Sequence, residues 1–122
     1  MMELNEIVNG LESVKKLMAS DLSIVTSYKL SKLAKKINEE FKDFEEKRIE
    51  LIKKYGEEVK DKQGQYKIDS PEKVKLFNEE LDKLLKLKVK FEFDKVKLSD
   101  IKDAKLSAND LLSLEPFLEA DL

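Results

Sequence analysis

The sequence predicts a mainly α protein of the α+β class. One long helix forms an antiparallel helical hairpin with a third helix, and short N- and C-terminal helices and a small β element complete the chain. Three observations carry this expectation. Between Ser27 and Gly56, Leu30, Ile37, Phe44 and Leu51 recur every seven residues, and Ala34, Phe41, Arg48 and Tyr55 follow four later, so one stripe of a helix is nearly continuously apolar. From Leu87 to Phe93 the apolar period shortens from about 3.6 to about 2. Hydrophobic and charged residues each make up 41% of the chain, a balance of amphipathic helices rather than of disorder or membrane spans.

Taken in order, Leu4, Ile7, Val8, Leu11, Val14, Leu17 and Met18 follow the spacing of a first helix buried on one side. Gly10 inside it costs up to about 1 kcal/mol relative to alanine, so the helix bends there or a neighbour comes close. Asp21 to Thr26 reads as a short extended connection pinned to the core by Leu22, Ile24 and Val25, with Ser23, Thr26 and Ser27 as capping hydroxyls. The long helix then runs to Gly56, where a left-handed glycine would close it and Lys53 and Lys54 suit the negative end of its dipole. At about 1.5 Å per residue it is roughly 43 Å long, against a radius of gyration near ~14 Å for a compact domain of this size. It is therefore expected to protrude or to be covered by something else.

Gln63-Gly64 centres a small β-hairpin flanked by Val59, Tyr66 and Ile68. Ser70-Pro71-Glu72 marks the start of the third helix, because serine caps, proline fits the first helical position and an acid favours the dipole. Its expected core face is Val74, Phe77, Leu81, Leu84 and Leu85. Leu87, Val89, Phe91 and Phe93 then alternate with Lys88, Lys90, Glu92 and Asp94 as one half-buried strand, which Val96 and Leu98 extend. A lone strand needs a partner, from Leu22–Val25, from Tyr66–Ile68 or from a second subunit. The last helix has Ser107 as cap, Asp110 reaching back to it, buried Leu111, Leu112 and Leu114, and an end or kink at Pro116. Residues 107–122 carry four carboxylates and no lysine or arginine, which leaves the rest of the chain at net +2 within a total of −2. The acidic tail is placed to dock on a lysine-rich face of the same or a neighbouring molecule.

Composition bounds the chemistry. A chain of 122 residues is expected to be a single domain, residues 1–122. There is no apolar run near about 18 residues and no secretory pattern at the N-terminus, so the protein is expected to stay where it is made. Without cysteine there are no disulfides, thiolate nucleophiles or zinc–thiolate sites, and without histidine the commonest general base and metal ligand is missing. The small net charge points away from nucleic acid. Glu39-Glu40, Glu45-Glu46 and Glu79-Glu80 are neighbours about 100° apart on their helices and do not converge on one atom. The three glycines stand singly, so no phosphate loop is present. No catalytic residue, cofactor or metal is expected.

Lys83, Lys86, Lys88 and Lys90 straddle a helix end and a strand start, where they quench the dipole and guard a strand edge. Arg48, the one arginine, sits on the apolar stripe, and a buried or interfacial salt bridge that fixes register is its expected reason. Tyr28, Tyr55 and Tyr66 either pack at the core edge with hydroxyls in water or, beside Lys29, Lys32 or Lys36, stack a base of an anionic nucleotide.

Several words of the sequence recur together: Ser27-Tyr28-Lys29-Leu30 with Leu33-Ala34-Lys35, Phe44-Glu45-Glu46, and Leu51-Ile52-Lys53-Lys54-Tyr55-Gly56-Glu57. After them come Gly64–Tyr66, Phe77-Asn78-Glu79-Glu80-Leu81 with Leu84-Leu85, and Leu106-Ser107-Ala108 to Leu114-Glu115-Pro116-Phe117. In this order the chain resembles a family of small proteins of tailed bacteriophages and prophages of Gram-positive bacteria. The resemblance implies a phage-encoded, non-catalytic protein of the host cytoplasm or the virion, and transfers no functional residues.

The expected function is protein–protein association through the long helix and its flanking strand, as a homo-oligomer or with a protein partner. A virion or assembly factor and an inhibitor of a host defence protein both fit. The candidate interface and binding residues are Tyr28, Lys29, Lys32, Ile37, Phe41, Phe44, Arg48, Tyr55 and Tyr66. The alternative is a small-ligand sponge that sequesters a nucleotide-type immune signal between subunits, using Tyr28 and Lys32.

Overall fold

The apolar stretch at the N-terminus folds as two helices joined at Gly10. In the computed structural model, which describes residues 1–121, the order is β1 (Met2–Glu3), α1 (Leu4–Asn9), α2 (Leu11–Met18), α3 (Ile24–Tyr55), β2 (Glu57–Glu58), β3 (Tyr66–Lys67), α4 (Pro71–Leu85), β4 (Lys88–Val89), β5 (Val96–Lys97), α5 (Ala108–Leu114) and β6 (Leu118–Glu119). Tight 3₁₀ turns occupy Leu98–Ile101 and Glu115–Phe117. The chain is thus mainly α with a minor β element, and none of its described helices is long and apolar enough to cross a membrane.

Gly10 has ordinary right-handed angles, φ −81° and ψ −14°. Its role is space, not backbone freedom. A Cβ there would collide with Cε2 of Phe117 and stand 3.1 and 3.2 Å from Cζ and Cδ2 of the same ring. The helix breaks at this residue and a neighbour comes close.

The long helix begins earlier than Ser27. The Ser23 hydroxyl accepts the Thr26 backbone N–H at 3.3 Å and donates to the Thr26 hydroxyl at 3.0 Å, so Ser23 caps α3. That cap turns the expected extended connection into the first helical turn, and it leaves Ile24 and Val25 exposed while Leu22 alone packs on the core. Gly56 does end the helix, its N–H donating to the Ile52 carbonyl at 2.7 Å, but not by a left-handed turn. Among the described residues only Gly64 has a positive φ, +85°. A Cβ on Gly56 would lie 2.6 Å from the Ile52 carbonyl oxygen and 3.2 Å from that of Lys67, so glycine is needed there for the close passage of β3.

The described residues divide into two compact units, one made of Met1–Phe41 and the chain from Lys88 onward, the other of Lys42–Leu87. In the first, Ile7, Leu11, Val14 and Leu17 close over Leu30, Leu33, Ala34 and Ile37 of α3, and Val96, Ile101, Leu114 and Phe117 complete the core. The apolar stripe of this half of α3 is hidden by its own chain. The expected strand Leu87–Phe93 is only two residues long, and its partner is none of the three considered. β4 pairs antiparallel with β1, Met2 opposite Val89. Beyond it Phe91 and Phe93 turn onto Phe117, with ring centroids 6.3 and 5.4 Å away, and aromatic packing replaces a further ladder. Val96 and Lys97 belong to a separate parallel pair with β6.

α5 is capped as its sequence predicts. The Ser107 hydroxyl accepts the Asp110 N–H and the Ser107 N–H donates to Asp110 Oδ2, each at 3.1 Å. The buried face differs from the expectation: Leu114 points inward, Leu111 and Leu112 are exposed, and Asp110, one turn before Leu114, shares the inward face. A carboxylate is tolerated there because its oxygens are satisfied. The Ser13 hydroxyl donates to Oδ1 at 3.0 Å, and the Lys16 ammonium lies 3.1 Å from both oxygens. The acidic tail docks on its own molecule at this point, and again where Asp121 accepts the Ser99 N–H at 2.9 Å.

In the second unit β2 and β3 pair antiparallel around Gly64, Glu57 opposite Lys67 and Glu58 opposite Tyr66. α4 starts at Pro71 after an extended Ser70, whose side chain makes no capping bond. Lys54 of α3 reaches Glu80 of α4 at 3.4 Å, and the two helices form the antiparallel hairpin. Not one described residue of α4 is buried. Of the expected core face, Phe77, Leu81, Leu84 and Leu85 are half-buried and Val74 remains 38% exposed, because two helices in one layer screen only the sides that touch.

Two consequences are measurable. Gly10→Ala should cost about 1–3 kcal/mol in urea unfolding, the usual penalty of overpacking, and adding Phe117→Leu should return part of it. The backbone N–H of Ser107, then Lys16, hold the Asp110 carboxyl at about 2, below its ordinary 3.8. Because the folded value is the lower one, the carboxylate's contribution is present above pH 3.8 and is lost as pH falls toward about 2. Thermal melts across that interval should decline more steeply for the wild type than for Asp110→Asn.

Candidate functional site

Tyr28, Lys29, Lys32 and Lys36 lie on successive turns of α3 in the first unit. Phe93 and Asp94, in the irregular stretch between β4 and β5, face them across a cleft of about 260 Å³ floored by buried Leu33. The Lys32 ammonium stands 5.4 Å from the centre of the Tyr28 ring. The Lys36 ammonium donates to the backbone carbonyl of Glu92, which ties the helix to the facing stretch. Phe93 is held in place by Phe91 and Phe117, each with its ring centre 5.4 Å away. Three lysines against one aspartate give the lining a net charge of +2 on a chain whose total is −2.

The other candidates divide between core and hairpin. Ile37 is fully buried and Phe41 packs against the core of the first unit, so neither presents an interaction surface; the covering residues of α1, α2 and α5 have taken that role. Phe44 is buried as well, in the second unit. Arg48 does not bridge two elements. Its Nε and Nη2 donate to both oxygens of Glu45, three residues earlier on the same helix, at 3.0 and 2.8 Å. The pair is about a third exposed, and the mutual hydrogen bonds lower the Glu45 carboxyl and raise the Arg48 guanidinium from their ordinary values. A bond within one helix cannot set the register of two.

Tyr55 and Tyr66 belong to the second unit and Tyr28 to the first. Lys54 lies 5.0 Å from the Tyr55 ring centre, and Lys53 lies 5.8 Å from that of Tyr66. The hydrogen bond with Tyr55, then that with Lys54, holds the Glu80 carboxyl below its ordinary value. The hollow between the hairpin helices, about 420 Å³, is lined by charges of both signs, among them Lys47, Glu50, Lys54, Glu80 and Lys83. It offers no concentrated field of one sign. Among the described residues no three carboxylates come together as a metal site.

Sequence reasoning grouped Tyr28, Lys29 and Lys32, which line one cleft, but did not include Phe93 and Asp94, because their alternation read as a strand. The rings of Phe91 and Phe93 turn onto Phe117, a residue more than twenty positions away that local alternation does not mark. No protein-family model, no curated protein and no solved structure matches the chain.

Since the Glu45–Arg48 pair is local and partly solvated, a double-mutant cycle with Glu45→Gln and Arg48→Gln should give a coupling of about 0.2–1 kcal/mol. A coupling several times larger would contradict the reading of the pair as partly solvated.

Proposed function

We propose that this chain is a non-catalytic interaction protein that works through its second unit, and that the first partner of that unit is a second copy of the same chain. One observation supports the reading above others: α4, a helix of fifteen residues, has no buried residue, its Val74 and Leu76 being exposed and its Phe77, Leu81, Leu84 and Leu85 only half-buried. Apolar side chains left partly in water favour association. The outer face of α4 also has a self-complementary charge order. It carries Pro71, Val74 and Lys75 toward one end and Glu79 and Asp82 toward the other, with Asn78 between. Two copies related by a two-fold axis near Asn78 would set Lys75 of each against Asp82 of the other.

The likeness of the sequence words to small phage proteins supports a phage origin and a place in the host cytoplasm or the virion. Within that setting the same surface serves an assembly factor or an inhibitor that covers a host defence protein. Size-exclusion chromatography with light scattering tests the first step. The wild type should run as a dimer, Lys75→Glu should dissociate it at the same concentration, and Lys75→Glu with Asp82→Lys should restore it. A wild-type monomer at high concentration, or a double variant no better than the single, would refute the proposal.

A further inference from the structure

The cleft of the first unit is independent of the α4 surface and suggests a second capacity. We infer that the Tyr28–Phe93 cleft binds a small anion carrying a planar ring, of the class of a nucleoside monophosphate. Charge is the first reason. Lys29, Lys32 and Lys36 put three ammonium groups on one side of one helix, and Asp94 is the one carboxylate in the lining, although acids outnumber bases over the whole chain by 26 to 24. Such a local excess attracts a compact anion and holds it by charge-assisted hydrogen bonds from point charges rather than by a fork.

Rings are the second reason. Tyr28 is 63% exposed at the rim, and Phe93 forms the opposite wall. Phe93 is already fixed by Phe91 and Phe117, so presenting it costs little ordering on binding. Asp94 stands where it can accept from a sugar hydroxyl or an exocyclic amine.

The space sets the size. A volume of about 260 Å³ lies just below the usual range for sites that enclose a drug-sized ligand, about 300–1,000 Å³. The occupant is therefore small and part of it stays in water. The basic run also stops short: past Lys36 the adjoining hollow is lined by Glu39, Glu40 and Glu92 against Lys36 and Lys90. A chain of phosphates extending that way would meet carboxylates, which selects a single phosphate.

Isothermal titration of the full chain with AMP, adenosine and inorganic phosphate separates the contributions. AMP should bind saturably, and more tightly than either fragment. Lys29→Gln with Lys32→Gln, both on the surface and away from the core, should weaken AMP by about tenfold or more, and Tyr28→Ser by a comparable factor. Circular dichroism on the same samples checks that each variant keeps its helix content. Absence of saturation at millimolar AMP would overturn the inference. So would binding that survives in the lysine variant, or phosphate binding as tightly as AMP.

Discussion

The ring of Phe117 is the constraint on which the first unit depends. It is wholly excluded from water, it lies where Gly10 has no side chain, and it takes Phe91 and Phe93 on its other edges. Each contact has a consequence for the backbone. The N-terminal helix divides at Gly10, and the alternating stretch after β4 abandons its ladder to bring two rings inward. α5 carries the ring to its place, and the bonds from Ser13 and Lys16 to Asp110 hold α5 beside α2. Removing the carboxylate, enlarging the glycine or shrinking the ring therefore acts on one assembly. Effects at these positions should not add as independent sites do.

The two ends of α3 meet different fates for the same apolar pattern. In its first half Leu30, Leu33, Ala34 and Ile37 are covered by three short helices and the C-terminal segment. In its second half Phe44 is buried, but Arg48, Leu51, Ile52 and Tyr55 are only half-buried, and α4 beside them has no buried residue among those described. A heptad-like stripe thus serves as a closed core along one stretch and as half of an open hairpin along the next. This difference, more than any single residue, motivates assigning association to α4.

Much of this was legible in the amino-acid order, and the failures have physical causes. The long helix, the Ser70-Pro71 start, the turn at Gly64 and the reciprocal bonds of Ser107 and Asp110 depend on neighbours within a few residues, and local chemistry decided them. Burial does not. Leu112 is 67% exposed and Asp110 is buried because the orientation of α5 follows from Ser13 and Lys16, almost a hundred residues away in the chain. The strand register failed likewise: Met2 and Glu3 have no alternation to mark them, yet they supply the partner of β4. Of the candidate site, the helix-borne half, Tyr28 with Lys29 and Lys32, was visible from spacing alone. The facing half depended on Phe117, whose role only packing reveals.

Hydrogen exchange of the backbone amides, followed by mass spectrometry at low and high protein concentration, tests most directly whether the first unit is complete in itself while the second needs a partner. Peptides from α1, α2 and α5 should exchange slowly and identically at both concentrations, whereas those from α4 should exchange quickly when dilute and slow markedly when concentrated. Protection of α4 that is already high in the dilute protein and does not change with concentration would contradict the account.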